Sequence, residues 1–282
     1  MTTQKRNRLP GLLLGFGAVR QRRQERSRGA SGPGFTLIEL LVVVGVIALL
    51  AGLLAPALMK AWRKSHQTDC SNNLHQFSVA CQLYRMHHGD QWPPWLSSLY
   101  PTYVNDQVAY LCVADNHEGK VGGKPPELIQ EYSGNYFDET DDTISNDGSN
   151  GALAVPRNDA IKVCSYFYEM CAVECSWGWA NHLGISGDAV EMAKVDANND
   201  GIETWGEVKA YQLVHGDDAN GKVGYDEIYF PVIRCFHHYR DRKILVDDPL
   251  HGRKKEGLTL NVAYAGNVFQ SPITWELKPV NQ

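Results

Sequence analysis

The chain has 282 residues, of which 43% are hydrophobic and 21% are charged, with seven cysteines and a formal net charge of −5. This length suits one large domain or two small ones. The composition excludes a disordered acidic tail, a collagen-like repeat, a disulfide-rich miniprotein and a polytopic membrane protein. A negative net charge also argues against nucleic acid as a partner.

Charge is divided unevenly along the chain. Residues 1–34 contain eight basic residues and Glu25, a formal charge of +7, so the remaining residues sum to −12. The stretch between Glu39 and Lys60 carries no charge. Its 20 residues would form a helix about 30 Å long, the thickness of the hydrocarbon core of a bilayer. Because the amino-terminal flank is the more basic one, we expect a single-pass inner-membrane protein with a cytoplasmic amino end and an exported acidic body.

The edge of the apolar run carries a motif. An ionised carboxylate such as that of Glu39 is costly in this position without a partner. The stretch Gly34–Glu39 (GFTLIE) resembles the processing site of type IV prepilins and type II secretion pseudopilins. The resemblance implies that prepilin peptidase cleaves after Gly34 and methylates the new amino-terminal Phe35. It also implies that Glu39, the fifth mature residue, neutralises the α-amino group of Phe35 on a neighbouring pilin or pseudopilin subunit.

The resemblance divides the chain into segments. We predict a basic leader over residues 1–34, which is removed, a transmembrane helix over 35–59, an amphipathic continuation of this helix over 60–92, and an exported head over 93–282. The leaders of the family are usually short, so a later translation start, for instance at Val19, is an alternative to an unusually long leader.

The head is expected to be α+β, with a small antiparallel sheet packed on the second half of the helix. Helical character continues to Met86, and Gly89 with Pro93-Pro94 ends it. Short β-branched or aromatic runs bounded by Gly, Asp or Pro predict strands. The predicted strands are Val108–Cys112, Lys162–Met170, Ile228–Arg234, Ile244–Val246, Leu258–Ala265 and Ile273–Leu277.

Two further stretches resemble a bacterial subgroup of pilin-like proteins. Cys70 followed by Asn72-Asn73-Leu74 is similar to its Cys-x-Asn-Asn-Leu stretch after the anchor. His251 and the later Ala265-Gly266 resemble a degenerate form of its carboxy-terminal His…Asp-Gly segment. Because Ala265 replaces the Asp, we expect only the strand–turn–strand shape to be shared.

A twelve-residue acidic loop indicates calcium. Asp196–Glu207 fits the pattern Asp-x-[Asp/Asn]-x-[Asp/Asn]-Gly-x5-Glu at each fixed position. Ca²⁺ prefers six to eight oxygen ligands, and this spacing wraps them around one point, with Gly201 at the sharp turn. The alternative is an ordinary Asp/Asn/Gly-rich surface turn. The predicted ligands are the side chains of Asp196, Asn198 and Asp200, the carbonyl of Ile202, Thr204 directly or through water, and Glu207 with both carboxylate oxygens.

A degenerate second loop follows at Gly216–Glu227. The pair resembles an EF-hand or dockerin-type module, so we predict an EF-hand-like insertion over 171–227. Glu203 occupies position eight of the first loop, where that family places an aliphatic residue, which puts the pairing of the two loops in doubt. Aligning Gly221 with Gly201 assigns the possible second set of ligands to Asp218, Asn220, Lys222 and Glu227.

The seven cysteines lie outside the cytosol in this scheme, so disulfides are permitted, and an odd number leaves at least one unpaired or paired between subunits. Zinc is an alternative use, either by Cys171 and Cys175 with His182 or by Cys235 with the adjacent His237-His238 pair. These spacings match no zinc ribbon or finger, so structural cysteines are favoured.

Sequence motifs for common active sites are absent, including Gly-x-Ser-x-Gly, His-Glu-x-x-His and a phosphate loop, so we expect no enzyme. The sequence therefore predicts a pilin-like structural subunit of a type II secretion pseudopilus or a type IV pilus, with a head stabilised by Ca²⁺. Its expected partners are prepilin peptidase, other pilin-like subunits and the inner membrane. The alternatives are a signal-anchored, non-polymerising surface protein with a calcium-dependent adhesion or carbohydrate-binding module and, more remotely, a periplasmic hydrolase.

Overall fold

The structure is a computed structural model in which the chain forms two compact units, Met1–Leu54 and Ala55–Gln282. The predicted leader, His251 and Asn220 are among the residues outside the described part. The described residues are 35–116, 118–120, 158, 160–172, 175, 178–218, 221–238, 243–248 and 252–276.

Helix α1 extends from Leu37 to His87 and continues through Pro56. Its large apolar residues from Leu37 to Met59 are exposed to between 48% and 81%, so this stretch is not the core helix of a soluble domain. In the second half, buried residues recur three or four positions apart and form one face of the helix. This face comprises Cys70, Leu74, Phe77, Ser78, Ala80 and Cys81.

Two 3-10 helices follow α1, at Leu96–Leu99 and Gln107–Tyr110. The second overturns the predicted strand Val108–Cys112. Asp106 caps it, because its Oδ1 accepts a hydrogen bond from Val108 N at 2.9 Å, and Tyr110 is fully buried. The aromatic and β-branched residues that suggested a strand therefore reach the core from a capped turn.

In the described part of the chain the sheet has five antiparallel strands, β1 at Phe167–Tyr168, β2 at Pro231–Cys235, β3 at Lys243–Asp248, β4 at Gly252–Ala263 and β5 at Val268–Pro272. Strand β4 organises the sheet because its first half pairs with β3 and its second half pairs with both β2 and β5. The α+β class with a small antiparallel sheet, as predicted, is confirmed.

The predicted strand Ile273–Leu277 is wrong, because the chain leaves the sheet after Pro272 and residues 273–276 form a turn. The guanidinium of Arg234 donates hydrogen bonds to the carbonyls of Pro272 and Ile273. The buried guanidinium thus satisfies the hydrogen-bonding capacity of carbonyl groups at the point where the strand ends. The strand that pairs with β4 here is β5, which ends at Pro272, just before the predicted strand begins.

Among the described residues between β1 and β2 are the helices α2 at Trp179–His182, α3 at Ala189–Met192 and α4 at Trp205–His215. The stretch between the two acidic loops, residues 207–214, is long enough for about two helical turns, and α4 forms them. Its buried apolar residues, Trp205 and Val208 among them, belong to the same hydrophobic core as Phe77 and Val262. Helix α4 is therefore packed into the core that α1 and the sheet share.

Candidate functional sites

The amino end of α1 is capped by the residues of the predicted processing motif. Thr36 Oγ1 accepts a hydrogen bond from Glu39 N at 3.3 Å, and Glu39 Oε2 accepts one from Thr36 N at 2.9 Å. This reciprocal pair is a capping box, which satisfies two of the amide groups that a helix start leaves without partners. The capped helix begins at Leu37, two residues after the expected amino terminus Phe35.

Beyond the cap, α1 is the one helix in the described part of the chain that is long and apolar enough to cross a membrane. None of its most apolar 18-residue window is buried. An exposed helical surface of this composition has a favourable environment only in a bilayer or against other apolar helices. This helix is consistent with membrane anchoring.

The first acidic loop has the closed backbone expected of a twelve-residue metal loop. Asp196 Oδ2 accepts a hydrogen bond from Gly201 N at 2.9 Å, and Asn198 Oδ1 accepts one from Asp200 N at the same distance. Gly201 has a φ of +84°, which an L side chain rarely adopts. Asn198 N donates to Glu207 Oε1 at 3.4 Å, so the twelfth position of the loop lies against the third.

Helix α4 starts directly on this loop. Thr204 is its N-cap and Glu207 its third residue, and the two form a second capping box through Thr204 Oγ1 and Glu207 Oε2. The Glu207 oxygens that would bind a cation therefore also accept amide hydrogen bonds. Glu207 Oε2 accepts hydrogen bonds from both Thr204 N and Thr204 Oγ1, so acceptor capacity for a metal remains chiefly at Oε1. The carboxylates of Asp196, Asp200 and Glu207 do not all lie within 4.8 Å of one another, so the first calcium loop remains a prediction.

The second acidic loop differs at its first position. Gly216 has a φ of +73°, and a Cβ added there would lie only 2.2 Å from the carbonyl oxygen of Val223. A side-chain ligand at that position is sterically excluded. Asp217, which could compensate, is fully buried and accepts hydrogen bonds from Gln212 Nε2 at 2.6 Å and the Tyr225 hydroxyl at 2.9 Å.

Two of the remaining predicted residues of this loop lie close to Gly184, and a third is exposed. Asp218 lies beside Gly184, and the ammonium group of Lys222 donates to the carbonyl oxygen of Gly184 at 2.7 Å. Glu227 is exposed, and its carbonyl oxygen accepts a hydrogen bond from Ala265 N at 3.1 Å. The second calcium loop remains a prediction.

Four side chains from distant parts of the chain converge in the core, and sequence reasoning missed this group. They are Cys70 on α1, Cys112 after the second 3-10 helix, Cys235 at the end of β2 and His238 in the next turn. Their sulfur and nitrogen atoms all lie within 4.8 Å of one another, and Cys112 Sγ is 3.3 Å from His238 Nε2. Within the described ranges, no other group of three or more Cys, His, Asp or Glu side chains meets in this way.

The three thiols of this cluster have different protonation preferences. Side-chain hydrogen bonds, first from Cys235 and then from Cys70, lower the pKa of the Cys112 thiol, with a smaller contribution from His238. Burial raises the pKa of the Cys70 thiol and the pKa of the Cys235 thiol. The thiol whose pKa is lowered, that of Cys112, is also the one that contacts the imidazole of His238.

The predicted zinc combinations do not match this arrangement. Cys235 does meet a histidine, but the partner is His238, while His237 Nε2 lies 3.6 Å from Asp115 Oδ2. His182 Nε2 lies 3.6 Å from Asp217 Oδ2 rather than against the predicted cysteines. The available sequence signal was the Cys235-x2-His238 spacing, which places two ligands on one turn.

Comparison with known proteins gives one partial likeness. Over 56 residues the chain is 41% identical to the prepilin peptidase-dependent protein D of Escherichia coli (strain K12), a match covering 20% of this chain and 38% of that protein. The chain thus spans less than two fifths of the length of the curated relative that it matches. No protein-family model and no solved structure matches the chain. The partial match and the long apolar helix α1 are compatible with a pilin-like protein.

Proposed function

We propose that the chain is a pilin-like structural subunit of a type II secretion pseudopilus or a type IV pilus, cleaved by prepilin peptidase between Gly34 and Phe35 and N-methylated at Phe35. The observation that carries this proposal is the position of α1. It begins at Leu37, directly after the expected cleavage junction, and exposes its whole apolar first half. A partial relative that is named for its dependence on prepilin peptidase supports the proposal.

Glu39 has two separable functions in this proposal. Its carboxylate caps the start of α1 through Thr36, and its charge would neutralise the α-amino group of Phe35 on a neighbouring subunit. An unpaired charge in the low dielectric of a packed filament costs several kcal/mol, so a charge pair favours assembly. Glutamine caps as well as glutamate in the same motif, but carries no charge.

Processing is tested by intact-mass and amino-terminal analysis of the full chain expressed with prepilin peptidase. We expect N-methyl-Phe35 as the mature terminus, and the leader retained in Gly34→Val, because the peptidase recognises the glycine before the cut. Gly32→Ala is the matched control and should be cleaved normally. An intact leader in the wild type, or cleavage elsewhere, contradicts the proposal and favours a signal-anchored surface protein.

Assembly is tested by comparing Glu39→Gln with Thr36→Ala in the filament fraction sheared from cells. The Gln variant keeps the capping box but loses the charge, so we expect cleaved subunits that are missing from filaments. The Ala variant keeps the charge and loses the cap, a local cost of about 1 kcal/mol at one helix end. It should still assemble. Normal assembly of Glu39→Gln would refute the charge-pairing role.

We also propose that the first acidic loop binds one Ca²⁺ and thereby stabilises the head. Asp196, Asp200 and Glu207 bring three formal negative charges into one twelve-residue loop. A divalent cation would remove their mutual repulsion, and an exported head meets far more calcium than a cytosolic protein does. Because α4 begins on this loop, ordering of the loop would be transmitted to the core through Trp205 and Val208.

Calcium binding is tested by calorimetric titration of the detergent-solubilised full chain. Glu207→Gln removes the charge of the predicted bidentate ligand while leaving a residue able to cap. Glu203→Gln is the matched control, since it removes one charge from the same loop at a position that is not a ligand. We expect binding in the wild type and in Glu203→Gln, and at least about ten-fold weaker binding in Glu207→Gln. Equal affinities, or no heat at millimolar Ca²⁺, would reduce the loop to a surface turn.

A further inference from the structure

The cluster of Cys70, Cys112, Cys235 and His238 has the composition of a closed metal site. All four side chains are buried, and their ligand atoms lie within 4.8 Å of one another. Tetrahedral zinc has Zn–S bonds near 2.3 Å and Zn–N bonds near 2.0–2.1 Å, which separate the ligand atoms by about 3.5–3.8 Å. The observed spacing therefore leaves room for one ion at the centre, with only small side-chain movements.

We propose that these four residues bind one structural Zn²⁺ ion in the head, a site distinct from the calcium loop. Three sulfurs and one imidazole nitrogen are a ligand set that tetrahedral zinc takes in structural sites. Because the protein supplies all four ligands in a buried position, no coordination place is left for water or a substrate. The ion therefore has a structural role. On binding, the three thiols release their protons to solvent, and His238 binds as the neutral imidazole.

A disulfide is the competing use of these cysteines in an exported protein. It would join two of the three sulfurs at about 2.05 Å and leave the third thiol and the imidazole unused. The geometry instead brings all three sulfurs and the nitrogen around one point. Cys70, Cys112 and Cys235 are all present as thiols. Because four potential ligand atoms converge, rather than only two sulfurs, the arrangement favours a metal site over a disulfide.

The surroundings of the cluster position its ligands. Asn73, three residues after Cys70 on α1, donates hydrogen bonds of 3.2 Å to the carbonyl oxygen of Leu111 and to the hydroxyl of Tyr166. Leu111 precedes Cys112, so this amide fixes two ligand-bearing segments against each other. Such outer contacts hold the ligands of metal sites in orientation.

The site would join three separate segments of the head. It takes one ligand from α1, one from the loop after the second 3-10 helix, and two from the end of β2 and its turn. Unlike a disulfide, one ion at this point ties three separate segments of the head together. Removing the metal should therefore loosen the attachment of the helix to the sheet.

The test is the metal content of the detergent-solubilised full chain after dialysis against metal-free buffer, measured by plasma mass spectrometry. We expect about one zinc ion per chain in the wild type and at least ten-fold less in Cys112→Ser and His238→Gln. Cys81→Ser is the matched control, because Cys81 is a buried thiol on the same helix but outside the cluster. It should retain the full zinc content, and Glu207→Gln should retain it too.

A second measurement, made on the wild-type protein, tests the proposal even if the ligand variants fail to fold. Wild-type protein stripped by a chelator and refilled with Co²⁺ should take up one ion per chain and show the thiolate charge-transfer and d–d absorption of a tetrahedral cobalt site. Alkylation of the denatured, unreduced chain should modify Cys70, Cys112 and Cys235. A disulfide among the three cluster cysteines, a cobalt spectrum without thiolate bands, or equal zinc in folded Cys112→Ser would overturn the proposal.

Discussion

At the scale of single residues, the least expected feature of the head is a buried ionic group at the junction of α4 and the sheet. Glu169 Oε1 lies 3.3 Å from the Arg234 guanidinium, and Glu169 Oε2 lies 3.4 Å from Lys209 Nζ. All three side chains are about 1% exposed. A buried charge of this kind is tolerated only while its partners remain, so one carboxylate holds two cations in place.

We predict that Glu169→Gln destabilises the head by about 3–5 kcal/mol, because it leaves Lys209 and Arg234 buried without their counter-charge. Denaturant unfolding of the solubilised chain, followed by tryptophan fluorescence, measures the loss. Glu118→Gln is the control, since its partner Lys120 is also largely exposed and the pair is screened by water. A loss below about 1 kcal/mol for Glu169→Gln would show that the cations find other partners.

Glu276 provides a pH-dependent prediction. Burial raises the pKa of its carboxyl above the ordinary value of 4.5, although Lys209 and Arg234 oppose the shift. Its Oε1 is inaccessible and has no hydrogen-bond partner in the described part of the chain. A raised folded-state pKa contributes stability that is complete below the unfolded pKa and is lost as pH rises through the folded pKa.

Glutamine cannot ionise, so Glu276→Gln should be the more stable protein at about pH 8, and the difference should shrink towards about pH 4. Thermal unfolding of both proteins across this range measures the effect. A difference that is constant with pH would assign the effect of the substitution to packing rather than to the ionisation of Glu276.

At the scale of elements, prediction succeeded where the signal is long and periodic. Helix α1 ends at His87, beside the predicted breakers, and β4 contains most of the predicted strand Leu258–Ala265. The two misplaced strands, Val108–Cys112 and Ile273–Leu277, are short, and their conformation is decided by side-chain contacts. Asp106 caps the first region, and Arg234 binds carbonyls at the start of the second.

The buried face of α1 supports a prediction about this element. Phe77 packs edge-on against Tyr110 and Tyr166, with ring centroids 4.8 Å and 5.5 Å away. Phe77→Ala should cost about 3–5 kcal/mol of head stability through lost burial and the cavity that remains. Val79, 47% exposed on another face of the helix, is the control. Val79→Ala should change stability by no more than about 0.5 kcal/mol, and equal losses would contradict the assignment of faces.

At the scale of the whole molecule, charge is segregated around the apolar helix. The first 34 residues carry +7, and the remainder carries −12. Basic residues near a membrane span hold their side in the cytoplasm, so this asymmetry favours export of the head.

We predict that a carboxy-terminal alkaline phosphatase fusion is active, because the enzyme folds only when it is exported. Glutamine substitutions can remove five of the eight basic residues among the first 34, namely Arg20, Arg22, Arg23, Arg26 and Arg28. This variant should show a smaller exported fraction. A matched reporter that is active only in the cytoplasm should respond in the opposite direction. An inactive phosphatase fusion to the unmodified chain would reverse the proposed orientation.

The sequence by itself determined the features that depend on neighbouring residues. These are the apolar helix with Glu39 at its edge, the ligand spacing of the first acidic loop and the helical turns that follow that loop. Only the tertiary structure decided which distant side chains meet. Cys70, Cys112 and Cys235 are far apart along the chain, and no local period relates a helix position to a loop and a strand end. Their convergence with His238 follows from the packing of α1 against the sheet, because burial of the face around Phe77 brings Cys70 to the end of β2.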